Sequence, residues 1–254
     1  GAAEESAVHF VGETVAGRLT RRAMIPEGRI AVTSHGSVRS VRGSLSTRFR
    51  GFLMPPSQVK IVLATASETR AAMFRNAGLT VGVRPARIDE DLVRASLEAE
   101  GLQPRDIADA LAEMKALKIA ADDAALVIGA DQILSLDGKV LGKAGAPAMA
   151  EEQLAALSGK THRLYSAAVV QQGGKPIWRH VSEARITFHA LMRDEIAGYV
   201  ARHWDSIRHS VGCYRIEAEG VRLIARADGD YFTILGFPMI PLLTWLRQRG
   251  DIGA

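Results

Sequence analysis

From Leu126 to Ala130 the chain reads LVIGA without a polar break, the pattern of a strand buried on both faces, and the run delivers Asp131 where it ends. Residues 133–136 and 139–141 flank Asp137-Gly138, the residue pair of a two-residue type I′ hairpin, so the chain turns back toward Asp131 and carries Lys143 with it. Pairing 136 with 139 and counting back pairs 132 with 143. In that register Gln132 and Lys143 share a face and Asp131 points to the other.

Elsewhere the periodicity is shorter. Residues 59–63 form a β-branched and aliphatic strand, and ATASETRAAMFRNAG follows as a tight loop and a helix ending at Gly78. Thr65, with Glu68 three residues on, makes a capping box that places Thr65 at the N-cap. An extended piece at 81–86 leads to the acidic loop IDED, and Pro104 opens a helix running to about Ala121. Its stripe holds Ile107, Leu111 and Met114, with Lys115 and Lys118 within the same half of the wheel. A helix over 147–157, strand-like LYSAAVVQQ, a hairpin at Gly173-Gly174 that continues to ARITFHA, and the helix MRDEIAGYVARH come next. The irregular WDSIRHSVGCYRIEAEG follows, then a last strand over 231–235 and a closing helix opened by Pro238. Strands mixed with helices predict an α/β fold.

Composition changes the picture at one end only. The 254 residues carry a formal charge of +4, and residues 1–53 hold eight Arg, no Lys and four Glu, which accounts for all of it. The remainder is neutral, so the basic balance makes no case for a nucleic-acid partner. Residues 1–53 are rich in Gly, Ser and Arg and show little periodicity, so they read as a disordered or mis-annotated N-terminal extension, with Met54 an alternative start, ahead of a domain over 54–254. A transit peptide or a basic arm would also suit the Arg and Ser content, although Glu4, Glu5, Glu13 and Glu27 weaken the former. At 254 residues the chain could hold one large α/β domain or two small ones, and either would bury about 70 per cent of its unfolded surface. One cysteine, Cys213, excludes an intramolecular disulfide, and no apolar run approaches the length of a membrane span; both features read as cytoplasmic.

Several chemistries drop out. The seven histidines show no metal-ligand spacing, no GxSxG surrounds a serine, and Cys213 lacks an evident histidine partner. SGKT at 158–161 imitates the end of a P-loop, but that motif needs glycine where Leu154 stands and a helix after Thr161. What remains suits a metal-bound polyphosphate. The amides around Ala66 and Ser67, the Ser67 hydroxyl and Arg70 outline an anion site; Glu90 gains weight if the fold sets it near Asp131, where two acids could share a metal; and a loop carboxylate such as Glu217 could read a base edge through N–H donors.

These residues also resemble a known family. VLATASETRAAMFRNAGL, IDED, LAEMKALKIA, GADQILSLDGKVLGKA, LSGKTH and ILGFPMIPL match, in order, six blocks of the Maf proteins, which are nucleoside triphosphate pyrophosphatases, and they cover about residues 58–250. The resemblance implies an inosine triphosphatase-like fold: an elongated mixed β-sheet with flanking helices and a cleft between two lobes, in a homodimer. By motif position Asp131 would be the general base, with Glu90 and Lys115 beside it. Asp131 and Glu90 would hold Mg²⁺ or Mn²⁺, while Thr65, Ser67, Arg70, Lys115 and Lys143 would grip the triphosphate. This chain departs from the pattern at Thr65 for serine, at Thr69 where many members carry a first arginine, and at Ala144 for proline. Asp131-Gln132 with Glu217 is similar to the subgroup acting on 7-methyl-GTP, whereas dTTP and UTP enzymes of the family tend to have Asp-Thr and Gln there; Thr69, Gln132 and Glu217 are thus the specificity candidates. Rival readings are a dTTP/UTP pyrophosphatase, a low-turnover nucleotide-binding regulator of septum formation, and a phosphohydrolase releasing orthophosphate.

Overall fold

A computed structural model describes residues 59–253. The expectation for residues 1–53 lies outside the described residues. In chain order the elements are β1 (Ile61–Ala64), α1 (Glu68–Asn76), β2 (Val81–Val83), α2 (Glu90–Ala99), α3 (Pro104–Lys118), β3 (Leu126–Leu136) and β4 (Lys139–Leu141). Then follow α4 (Pro147–Leu157), β5 (Thr161–Gln172), β6 (Lys175–Phe188), α5 (Arg193–Ile207), β7 (Ile224–Asp228), α6 (Tyr231–Ile234) and α7 (Met239–Arg249). The strands form one mixed seven-stranded sheet in the order β2-β1-β3-β5-β6-β7, with β4 added to β3. β1 pairs in parallel with β2 and β3, and every other pairing is antiparallel.

β3 is the spine. Its first five residues are fully buried, as an unbroken apolar run requires, but the strand does not end at Asp131: it continues to Leu136, because β5 pairs with it from Val127 through Ser135. The hairpin at Asp137-Gly138 forms as expected, with φ of 52° and 83°, the left-handed pair a type I′ turn needs. β1 pairs with β3 only as far as Gly129, and β4 joins the same edge only from Leu134. A four-residue gap, Ala130 to Ile133, therefore separates the two strands along that edge.

Alternation along β3 sorts the helices onto two faces. On one face Leu126, Ile128 and Ala130 pack with α1, the turn before α7 and α7 itself through Phe74, Phe237 and Leu242, while Leu134 and Leu136 pack with α4 and α5. Each fully buried leucine or isoleucine contributes about 1.5–3 kcal/mol. Gln132 and its cross-strand partner Ser166 lie between these two clusters. On the other face α3 covers Ile133, Ala167 and Val169 with Ile107, Leu111 and Ala112. That contact is close at Gly129, where a Cβ would stand 2.1 Å from the Ala112 carbonyl oxygen and 2.5 Å from the Ala116 nitrogen.

The structure departs from four expectations. Residues 231–235 are not a strand: Asp230 caps a short helix by accepting from the Thr233 N–H at 3.0 Å, and the last strand is β7. The acidic segment is not a loop but the start of α2, with Asp89 as N-cap accepting from the Leu92 N–H. α3 stops at Lys118, and Met114 is 40% exposed rather than part of the buried stripe, which runs Ile107, Ala108, Leu111, Ala112, Lys115. The Gln132–Lys143 pair does not form, because the β3–β4 ladder stops at Leu134 with Leu141 and the chain then turns away.

Candidate functional site

The end of β1 sets the first rim of the gap. The Thr65 N–H donates to the Leu63 carbonyl, and this turn leaves the Thr65 hydroxyl two residues short of the helix, where it accepts from the Ser67 N–H at 3.0 Å. Ser67 is therefore the N-cap, accepting from the Arg70 N–H at 3.4 Å, and the Thr65–Glu68 capping box is not made. Glu68 pairs with Arg75 instead. The helix still presents its positive end and the Glu68 and Thr69 N–H groups outward, a geometry that binds anions. Thr69 is half-buried in that first turn.

Arg70 is one turn along and spans the gap. Its Nε donates to the Gly236 carbonyl at 2.9 Å and its Nη1 to the Ala130 carbonyl at 3.1 Å, leaving the rest of the guanidinium for a ligand. Burial pushes its pKa down and the charges of Asp131 and Glu90 draw it back up; the group stays ionised. Gly236 lies in the ILGFPMIPL block, yet sequence reasoning gave it no role. Nothing in a glycine's identity announces that its carbonyl will hold an arginine.

At the centre is Lys115, only 5% exposed, which the last turn of α3 delivers beneath β3. Lys118, one turn further, is exposed. Lys115 Nζ donates to Asp131 Oδ1 at 2.5 Å and to Glu90 Oε1 at 2.8 Å, so one ammonium holds both carboxylates. Asp131 is 5% exposed. The second Glu90 oxygen accepts from Lys143 at 3.5 Å. Burial pulls the Glu90 pKa upward, but Lys115, Lys143 and Arg70 outweigh it and hold the group below its ordinary value. Two carboxylates and three cations thus gather around the gap.

The structure does not gather every candidate. Gln132 faces the opposite side of the sheet from Asp131, and its Nε2 donates to Ser166 Oγ and to the Thr233 and Ile234 carbonyls, each at 3.1 Å. Lys143 belongs with Glu90, not with Gln132. Glu217 lies in the loop after α5, its carboxylate accepting from Arg215 Nε at 3.0 Å, and no contact among the described residues ties it to Asp131. Cys213 is fully buried, as expected of a small apolar side chain, and burial raises its pKa.

Among the described residues no three His, Cys, Asp or Glu side chains converge as a metal cage. Asp131 and Glu90 alone nevertheless fit a hard divalent ion, since Mg²⁺ takes one or two carboxylates and completes its shell with substrate phosphates and water.

Comparison with known proteins narrows the class. The family described as "Maf-like protein" matches residues 60–249. A "Nucleoside triphosphate pyrophosphatase" of Sphingopyxis alaskensis is 51% identical over 192 residues, 75% of this chain and 97% of that protein. Its namesake from Ruegeria pomeroyi is 48% identical over 195 residues, 76% of this chain and 98% of the relative. A "7-methyl-GTP pyrophosphatase" of Brucella abortus is 44% identical over 192 residues, covering 75% and 96%. With three-quarters of its length matched and half of the matched positions identical, this chain belongs to the Maf family.

Proposed function

We propose that the chain hydrolyses nucleoside triphosphates to the monophosphate and pyrophosphate, with 7-methyl-GTP as the preferred substrate. The observation that carries the reading is the Lys115 ammonium bridging Asp131 and Glu90 at the rim of a helix N-terminus, with Lys143 and Arg70 beside it. Cleavage between the α and β phosphates needs a proton acceptor for the attacking water and cations for the leaving pyrophosphate. Asp131 takes the water's proton at a carboxylate oxygen that Lys115 keeps oriented. Arg70, Lys143 and the free amides opening α1 offset the charge that grows on the leaving group. Asp131 and Glu90 would hold Mg²⁺ or Mn²⁺, which supplies Lewis-acid charge to the phosphates when bound.

The base preference rests on Glu217 and on the activity for which the Brucella relative is named. A carboxylate accepts two N–H bonds from a guanine edge, and the positive charge of a 7-methylated ring strengthens both. A uracil or thymine edge offers one N–H between two carbonyl oxygens and repels it. Glu217 would exchange its Arg215 partner for the base. The activity resides in residues 54–254, the stretch containing the family match. No helix among the described residues is long and apolar enough to cross a membrane. The same reading places a homodimer in the cytoplasm.

A panel of triphosphates, scored separately for pyrophosphate and orthophosphate, tests this. Pyrophosphate release fastest from 7-methyl-GTP is the expected result. Faster turnover of UTP or dTTP would move the preference, orthophosphate as the product would replace the reaction, and tight binding without turnover would leave a regulator.

A further inference from the structure

The gap in the edge of β3 leaves specific backbone groups to account for. β1 covers that edge up to Gly129 and β4 from Leu134, while β5 holds the opposite edge throughout. Leu136 and Lys139 close a two-residue hairpin and so exchange both their N–H and C=O groups, as do Leu134 and Leu141 two residues back. Two residues further back is Gln132, whose N–H and C=O therefore lie in the sheet plane and point into the gap. The carbonyl of Ala130, next along the same edge, already accepts from Arg70. Neither backbone group of Gln132 has a hydrogen-bond partner among the described residues. One more rung of ladder would have given both to Lys143, but Lys143 turns aside to Glu90.

An unpaired donor and acceptor side by side in a recess are costly unless a ligand takes them. The gap spans four residues, roughly 13 Å, and a peptide strand entering it would gain only two hydrogen bonds. A flat ring whose edge carries a donor next to an acceptor gains the same two bonds without ordering a chain. The start of α1 and Arg70 line one rim, where phosphates would lie, so a nucleotide fits both parts of the recess. The side chain of Gln132 cannot do this work through its nitrogen, because Nε2 is committed to Ser166 and to two carbonyls beneath α6.

We infer that the backbone N–H and C=O of Gln132 read the edge of the substrate's nucleobase, the N–H donating to a ring or exocyclic acceptor and the C=O accepting from a ring N–H or amino group. This rests on the pyrophosphatase reading above for the identity of the ligand, but it assigns recognition to the main chain at this position, with the side chain serving to fix the strand against α6.

Amide exchange on the full-length wild-type chain tests it, with 7-methyl-GMP, GMP and UMP as probes against pyrophosphate alone. Exchange at the Gln132 N–H slows by about tenfold or more when a monophosphate binds and stays at the free rate with pyrophosphate. Equal slowing by pyrophosphate, or no slowing by any monophosphate, overturns the inference. The readout is binding alone, so a chain that shields Gln132 yet releases no pyrophosphate refutes the proposed reaction and leaves this contact standing. A second comparison sets Gln132→Pro against Gln132→Ala: both lose the side chain, only the first loses the N–H, and an edge N–H facing a gap is where a strand tolerates proline. The proline variant has a kcat/KM lower than the alanine variant by about tenfold, one charge-assisted or well-desolvated hydrogen bond. Equal values overturn the assignment, and should the proline variant fail to fold, the exchange result decides.

Discussion

Taking away the Lys115 ammonium would leave Asp131, 5% exposed, unpaired beneath the sheet with Glu90 beside it, and breaking a buried pair in that way costs about 3–5 kcal/mol. Lys115 therefore stabilises the cluster as well as serving it, and its variants confound folding with chemistry. Asp131 is the better probe. Asparagine keeps the shape and can accept the Lys115 hydrogen bond, while Glu90 continues to neutralise the ammonium; what disappears is the proton acceptor. Asp131→Asn is expected to lower kcat by on the order of 10² or more, with an unfolding midpoint close to wild type. Turnover at the wild-type rate, measured as pyrophosphate release, would remove Asp131 from the base role. The sequence placed Asp131 readily, since a lone acid in an apolar run contrasts with its neighbours. Helical periodicity alone could not choose between Lys115 and Lys118, both on one half of the wheel, because the choice depends on α3 ending at Lys118 and leaving that side chain in water; only the family motif singled out Lys115.

Among the elements, those written by local pattern were legible and those decided by neighbours were not. The Asp137-Gly138 hairpin and the β5–β6 hairpin at Gly173-Gly174 follow from turn chemistry, and both form. The four residues of α6, aromatic or β-branched throughout, read equally well as a strand; the capping pair Asp230 and Thr233 was the signal against it. α2 has no fully buried residue, but Val93 and Leu97, one turn apart, pack against the α3 cluster; that short stripe was the signal for a helix, and the acidic residues at its start drew the reading to a loop. The register of β4 was correct where paired but was carried one rung too far, because counting along a ladder cannot see where the backbone leaves it, here after Leu141. The α3–β3 contact carries the next prediction. Gly129→Ala would drive a Cβ into the backbone of α3 at Ala112 and Ala116, and backbone cannot rotate aside as a flexible side chain can. The variant is expected to lose about 3 kcal/mol of stability or more, and kcat should fall with it as Lys115 is lifted from Asp131. An unchanged denaturation midpoint would mean that α3 can shift without loss.

At the scale of the whole molecule, the sheet carries two apolar clusters on one face with polar Gln132 and Ser166 between them, and the catalytic candidates on the other face meet them at the edge gap. The described part stands or falls with those clusters, and one buried group makes their stability depend on pH. His162, fully buried on β5, stacks edge-on against Phe188 and Tyr214 with its Nε2 2.8 Å from the Tyr214 hydroxyl, while its Nδ1 has no partner among the described residues. Burial pushes its pKa down to about 4, against about 6.5 in an unfolded chain. Between those values the unfolded chain binds a proton that the folded chain refuses, so stability rises with pH across this window and falls on acidification. A single such proton changes stability by about 1.4 kcal/mol per pH unit. His162→Gln retains a hydrogen-bonding group for Tyr214 and cannot titrate. In urea unfolding at pH 6.5 and pH 5, the wild type is expected to lose about 2 kcal/mol more than the glutamine variant. Equal losses in the two proteins would mean that His162 accepts its proton inside the fold, which would require the unpartnered Nδ1 to find an acceptor that the neutral structure does not supply.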